Sequence, residues 1–256
     1  MKHVQDFKVK TYHRLNAENY ILTLQGNSLE TEILPGQFAE IRVPGIADVF
    51  LRRPISILDF NTAENTISFY IKAIGKGTRQ LGSLQEGDIV NIVYPLGNSF
   101  SVIEKGKALI IGGGSGIAPF VQLGRELKKQ NVETTFLMGG RTKNDVFLTE
   151  EFSEFGEVLV TTEDGSLGEK GFVTHHPVFK GDFDFDRIYT CGPDPMMKAI
   201  AKIAGEKKIE CEASLENMMA CGIGACLCCV TPTVNGNKVV CTEGPVFNTK
   251  ELGWSI

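Results

Sequence analysis

Apolar and polar positions alternate in short runs over the first hundred residues. "NYILTLQG", "GQFAEIRVP", "NTISFYIKAIG" and "GDIVNIVYPLG" are rich in β-branched and aromatic residues, and turn signals separate them. A two-residue period predicts half-buried strands, and this spacing predicts a small antiparallel barrel or sandwich. One short helix is expected over 78–84, just after "GKG".

Near residue 105 the pattern changes. "KALIIGGG" is a continuous apolar run entering a glycine turn, as expected for a parallel strand buried on both faces. "IAPFVQLGRELKKQ" continues as a helix. The strands "VETTFLMGG", "EVLVTTED" and "DRIYTCGP" then alternate with helical "LTEEFSEFG" and "DPMMKAIAKIAGEK". Such alternation predicts a doubly wound parallel sheet. From Ile209 onward turns and cysteines predominate, with a hairpin signal at Asn235-Gly236. Three modules are therefore expected: an antiparallel β-barrel over 1–101, an α/β domain over 102–208 and a small C-terminal domain over 209–256.

Composition narrows the function classes. The 256 residues are 42% hydrophobic and 22% charged, as in a globular protein that can bury a large core. A formal charge of −5 without a Lys/Arg-rich run argues against nucleic acid as a partner. The N-terminal "MKHVQDFKVK" lacks the apolar stretch of a signal peptide, and the longest apolar run is too short and glycine-rich to span a bilayer. A cytoplasmic protein with no membrane association is expected.

That compartment bears on the cysteines, because cytosolic thiols stay reduced and an odd total of seven suits no disulfide framework. Five of the seven lie in "NMMACGIGACLCCVTPTVNGNKVVC". Cys221, Cys226, Cys229 and Cys241 fit C-x4-C-x2-C followed by one distant cysteine, the plant-type spacing for a 2Fe–2S cluster. The small residues of "CGIGAC" let the backbone curl around an inorganic core. Choosing Cys228 would give C-x4-C-x-C, so Cys228 is expected to be a bystander. A four-cysteine zinc site is the rival. It commonly presents two C-x2-C pairs, whereas only Cys226/Cys229 makes one here. His3, His13, His175 and His176 lie far from the cluster in sequence and suit structural roles.

"LIIGGGSGIAPF" sets Gly112, Gly113, Gly114, Ser115 and Gly116 between a strand and a helix, where a phosphate can approach unpaired N–H groups. The loop departs from G-x-G-x-x-G, and the next strand ends in Gly139-Gly140-Arg141 rather than in an acid that would hold a ribose diol. A tight packing turn is the alternative reading, and Arg141 leaves NADP open. Cys191-Gly192-Pro193 ends the last strand of the predicted sheet, at the edge where open α/β sheets bind ligands. In "LRRPISI", Arg53 can pair with a pyrophosphate and Ser56 can reach a flavin ring. Gly77-Thr78 offers a second phosphate cradle.

Taken in order, Arg53-Pro54-Ile55-Ser56, Gly77-Thr78, the loop from Gly112 to Pro119 and Cys191-Gly192-Pro193 resemble the ferredoxin–NADP reductase superfamily. The "CGIGACLCC…C" block narrows the resemblance, across the whole chain, to the electron-transfer subunits of class B dihydroorotate dehydrogenases. The resemblance implies an FAD-binding β-barrel, a nicotinamide-binding α/β domain and a C-terminal 2Fe–2S domain. It makes Arg53, Pro54, Ile55, Ser56, Tyr70, Ile71, Lys72, Gly77 and Thr78 FAD contacts, with Ser56 at the flavin ring. It assigns Gly112–Gly116 and Cys191–Pro193 to NAD, and Cys221, Cys226, Cys229 and Cys241 to the cluster. It further implies a partner: an FMN-containing dihydroorotate dehydrogenase catalytic subunit, in a heterotetramer of two of each. Electrons would pass from that FMN through 2Fe–2S and FAD to NAD+ in pyrimidine biosynthesis. A (β/α)8 barrel for dihydroorotate oxidation takes about 250 residues, which the three modules already occupy. The corresponding FAD/2Fe–2S subunits of NADH-dependent ferredoxin:NADP oxidoreductases and sulfide dehydrogenases resemble this domain order and remain the alternative.

Overall fold

A computed structural model describes residues 1–29, 31–181 and 183–254. The chain divides into two compact units. One comprises 1–99, 217–231 and 238–245; the other comprises 100–216, 232–237 and 246–256. The segment expected as a third module, 209–256, is thus shared between them.

In the first unit, β1 (His3–Arg14), β2 (Asn19–Gln25), β3 (Phe38–Ile41), β4 (Arg53–Asn61), β5 (Thr66–Lys72) and β6 (Ile89–Leu96) form a closed antiparallel barrel in the order β1-β2-β5-β4-β3-β6. Alternation explains its core: Tyr20, Leu22 and Leu24 of β2 and Val90, Ile92 and Tyr94 of β6 point inward. Each such side chain contributes roughly 1.5–3 kcal/mol on burial. β1 escapes the sequence pattern because only Phe7 and Val9 of its residues are buried. The expected helix near "GKG" is α1 (Lys76–Leu81).

The second unit is a seven-stranded sheet. β7 (Lys107–Gly113) leads through a 3-10 turn at Gly114–Ile117 into α2 (Phe120–Lys129), followed by β8 (Glu133–Gly140), α3 (Thr149–Ser153), β9 (Glu157–Thr162) and the short β10 (Glu169–Lys170). β11 (Arg187–Cys191), α4 (Asp194–Lys207) and β12 (Glu210–Ser214) complete the parallel part. A hairpin of β13 (Val230–Thr233) and β14 (Gly236–Val239) turns at the expected Asn235-Gly236, with Gly236 at φ +99°. α5 (Val240–Glu243) then leads to β15 (Val246–Asn248), which pairs antiparallel with β12. Strand order is β10-β9-β8-β7-β11-β12-β15, so the chain runs outward from β7 in one direction and resumes on its other side at β11. β7 and β8 are each buried through their five middle positions, as central parallel strands require. Among the described residues, no helix is long and apolar enough to cross a membrane.

Candidate functional site

The barrel carries the first group of site residues on its outer face. Ala39 and Ile41 of β3, Ile57 of β4, and Phe69 and Ile71 of β5 belong to the interior cluster. Strand alternation therefore turns Phe38 and Glu40, Pro54 and Ser56, and Tyr70 and Lys72 outward. Across the β3/β4 pair, Ser56 lies opposite Phe38 and Pro54 opposite Glu40. Of the expected FAD contacts, Pro54, Ser56, Tyr70 and Lys72 share this face. Ile71 is in the core and Ile55 packs against it, so those two face the other way. Tyr70 is fixed by donating its O–H to Asn19 Oδ1 (3.1 Å).

Arg53 and Gly77 meet although they are far apart in the chain. A Cβ on Gly77 would lie 2.7 Å from Arg53 Nε, so only glycine leaves room for the guanidinium at the start of α1. Thr78 closes the same turn: its Oγ1 accepts the Gly75 N–H at 3.1 Å. The Thr78 carbonyl accepts the Tyr20 O–H at 2.5 Å. A cation beside a glycine turn is the arrangement that a pyrophosphate needs.

The cysteine loop belongs to the same compact unit as the barrel. Gly222 (φ +68°), Gly224 (φ +83°) and Leu227 (φ +58°) adopt left-handed conformations that curl it. Its backbone N–H groups point at sulfur: Gly224 donates to Cys241 Sγ (3.2 Å), Cys226 to Cys221 Sγ (3.4 Å) and Cys241 to Cys229 Sγ (3.3 Å). Cys221 and Cys226 form one side-chain pair, and Cys229 and Cys241 another. Among the described residues, no three His, Cys, Asp or Glu side chains are arranged to hold a single ion. All four candidates are thiols, and their C-x4-C-x2-C…C spacing is that of a 2Fe–2S site rather than of two C-x2-C zinc pairs.

Electrostatics agree with a cationic occupant. Burial acts to raise the Cys221 thiol, but N–H groups from Ile223, Cys226 and Ala225 outweigh it and bring the pKa down to about 6. Cys241 is pushed up to about 12 by burial and by the sulfurs of Cys229 and Cys221. A positive core would relieve that crowding of thiolates. Cys228 differs in its contact, its thiol donating to the Met218 carbonyl at 3.7 Å, although like Cys226 it is exposed.

On the sheet, two glycine turns meet at the switch point between β7 and β11. Gly112 is in register with Cys191. A Cβ on Gly116 would sit 2.4 Å from the Cys191 carbonyl oxygen, and one on Gly113 would sit 2.9 Å from Pro193 Cδ. Gly192 bends away at φ +145°. Crevices at such a reversal, outside the carboxyl ends of parallel strands, are where open α/β sheets bind nucleotides. Cys191 itself is a core thiol, fully buried and raised well above its usual range by burial. Arg141, just past β8, is held by Asp145 through Nε–Oδ2 (3.3 Å) and Nη2–Oδ1 (3.1 Å).

Sequence reasoning passed over Glu40, the acidic residue of "GQFAEIRVP". It is 0% exposed, beside the cysteine loop. The available signal was a carboxylate inside a strand whose other positions are apolar.

Comparison with known proteins follows the same division. Residues 216–253 match the iron–sulfur cluster binding domain of dihydroorotate dehydrogenase B, and residues 110–202 match an oxidoreductase NAD-binding domain. The electron transfer subunit of dihydroorotate dehydrogenase B (NAD(+)) from Fusobacterium nucleatum is 36% identical, covering 97% of this chain and 98% of that one. The Geobacillus sp. counterpart is 40% identical over 94% and 95%. The solved structure of an NADH-dependent reduced ferredoxin–NADP oxidoreductase superposes with a TM-score of 0.88 at 30% identity, covering 97% of this chain and 90% of that one. Barrel, nucleotide sheet and cysteine loop are common to the fold read here and to those relatives, and the chain belongs to the family of dihydroorotate dehydrogenase B (NAD(+)) electron transfer subunits.

Proposed function

We propose that this chain relays electrons between a catalytic partner that oxidises dihydroorotate on FMN and NAD+, using a 2Fe–2S cluster and FAD. When bound, the flavin exchanges hydride with a nicotinamide and single electrons with an iron–sulfur cluster, which makes it the necessary middle of such a chain. The observation that carries the reading is the placement of the cysteine loop against the outer face of the barrel that also bears Pro54, Ser56, Tyr70 and Lys72.

In this reading Arg53 and the Gly77-Thr78 turn hold the pyrophosphate. Pro54, Ser56, Tyr70 and Lys72 form the wall against the ring, with Ser56 supplying its hydroxyl to the hydride-carrying nitrogen. Ile55 and Ile71 contribute backbone only, since their side chains face the core. Cys221, Cys226, Cys229 and Cys241 are the cluster ligands. The turns Gly112–Gly116 and Cys191–Pro193 receive NAD. The functional modules are 1–101 for FAD, 102–208 for NAD and 209–256 for the cluster. The partner is an FMN-containing dihydroorotate dehydrogenase catalytic subunit in a cytoplasmic heterotetramer of two of each.

Purification with the partner, followed by dihydroorotate-dependent reduction of NAD+, tests the assignment. Flavin bands with about two iron and two acid-labile sulfide per chain are expected. Colourless, zinc-loaded protein would sink it, as would dihydroorotate oxidation by this chain alone. The superposition on the ferredoxin–NADP oxidoreductase structure favours a second reading, a subunit of that kind of enzyme. Reduction of NADP+ by reduced ferredoxin, without response to dihydroorotate, would select it.

A further inference from the structure

β7, β11 and β12 run parallel, and Gly112, Cys191 and Ser214 stand in one row across their carboxyl ends. Sheet order sets β8 on one side of that row's centre and β12 on the other. A dinucleotide lying across such an edge puts its pyrophosphate on the first glycine turn and its adenosine ribose near the end of the second strand, here β8. The nicotinamide then extends the other way, past β11 toward β12.

Glu216 stands on that side. It follows Ser214, the last residue of β12, by two positions, and it is exposed. Ser214 is buried and hydrogen-bonds the Cys191 sulfur through its side chain. The charge of Glu216 is felt at Cys191, and that of Asp194, the first residue of α4, is felt at Glu216. The two carboxylates differ in company. Asp194 lies at a helix N-terminus, where negative charge is favoured, and 3.8 Å from Lys198 Nζ. Glu216 has no hydrogen bond or ion pair among the described residues. A carboxylate beside a like charge, with no cation of its own, favours a positively charged neighbour.

The relay proposed above, on which this inference rests, takes up NAD+ and releases NADH. Hydride uptake, NAD+ + H− → NADH, turns a cationic nicotinamide ring into a neutral one and leaves the ribose and phosphate parts unchanged. Contacts to those parts hold both forms alike. A fixed negative charge beside the ring does not. We propose that Glu216 is the residue that selects the oxidised nicotinamide, adding to the binding of substrate NAD+ an attraction that product NADH lacks. It bears on which form is held and takes no part in hydride transfer itself.

Calorimetry on the oxidised holoprotein, without an electron donor, separates this role from a structural one. The two ligands are NAD+ and tetrahydro-NAD, a reduced analogue whose neutral ring cannot give up hydride. Glu216→Gln should raise the Kd for NAD+ by about fivefold, the scale of an exposed charge pair, and leave that for tetrahydro-NAD within about twofold. Glu216→Ala should repeat the change, and Glu216→Asp, which keeps the charge, should retain the wild-type ratio of the two constants. Asp194→Asn should move the ratio less, because Lys198 already balances that charge. An unchanged ratio in Glu216→Gln and Glu216→Ala overturns the proposal. So does equal weakening of both ligands, which would make Glu216 a structural support of the crevice, or a larger effect at Asp194. Failure of the wild-type holoprotein to bind either ligand would instead overturn the NAD assignment, and the selectivity with it.

Discussion

Arg53 lies across Gly77, so that a Cβ there would stand 2.7 Å from Nε and 3.2 Å from both Cζ and Nη2. Gly77→Ala should displace the guanidinium while leaving the barrel core intact. FAD affinity is expected to fall by roughly tenfold or more, equivalent to about 1.4 kcal/mol, and Arg53→Ala should release FAD altogether. Fluorescence titration of the apoprotein with FAD measures both. Equal affinity in wild type and Gly77→Ala would return Arg53 to a structural role.

Cys226 and Cys228 make a paired test of the cluster ligands. Cys226 receives the Cys228 N–H on its sulfur (3.5 Å), whereas the Cys228 thiol is directed to a carbonyl. Cys226→Ser should abolish the EPR signal of the reduced cluster and lower bound iron. Cys228→Ser should keep both near wild type. Matching losses would require a different ligand set.

At the sheet edge, Gly116 approaches backbone rather than a movable side chain: Cys191 O, Cys191 C and Gly192 Cα all lie within 2.7 Å of its virtual Cβ. Gly116→Ala should cost about 1–3 kcal/mol, the usual penalty for overpacking, and should weaken NADH binding. Thermal unfolding and an NADH titration would check the two effects. An unaltered melting temperature would show that the turns can separate.

Arg141 bears on nucleotide choice. In dinucleotide-binding sheets an acid near the end of the second strand suits a ribose diol, and an arginine suits a 2′-phosphate. Here Asp145 occupies the arginine with two contacts and also accepts the Thr142 N–H (3.3 Å). Asp145→Asn can keep the Thr142 contact while removing the opposing charge. The preference for NADH over NADPH, measured as a ratio of kcat/KM values, should shrink by roughly tenfold, or ~1.4 kcal/mol. A constant ratio would place the ribose elsewhere.

His176 should give the sheet a pH response. Its Nδ1 accepts the Val178 N–H at 3.0 Å, and burial lowers its pKa from 6.5 although Glu169 and Glu157 oppose. The unfolded chain therefore takes up the proton first as pH falls. The stability from the neutral ring is complete above pH 6.5 and is lost as pH drops below that value toward the folded pKa. His176→Asn should flatten the melting-temperature profile in that window. Parallel profiles for the two proteins would refute this.

The architecture was largely legible because periodicity changes where the fold changes: alternating "NYILTLQG" became β2, and unbroken "KALIIGGG" became central β7. β12 and β15 were missed. "ECEAS" is too polar to resemble a sheet strand, and "VFN" is too short, yet both find partners at the sheet edge. The spacing of the cysteines sets Cys228 apart as the expected bystander, and in the structure its thiol donates to the Met218 carbonyl. Glu40 stayed hidden because a glutamate within a strand reads as an exposed position. Its complete burial, with Gly222 packed against it, shows otherwise.

The antiparallel pairing of β12 with β15 sets Ser214 beside Val246. Everything from Leu215 to Pro245, the whole cysteine loop included, is consequently an excursion that leaves and re-enters the sheet at adjacent points. Its two ends attach at neighbouring points of the sheet edge. Replacing it with a tight turn would leave the sheet edge continuous and uncover Leu96 and Glu40 on the barrel. The remainder would lack every cysteine of the iron–sulfur cluster binding domain.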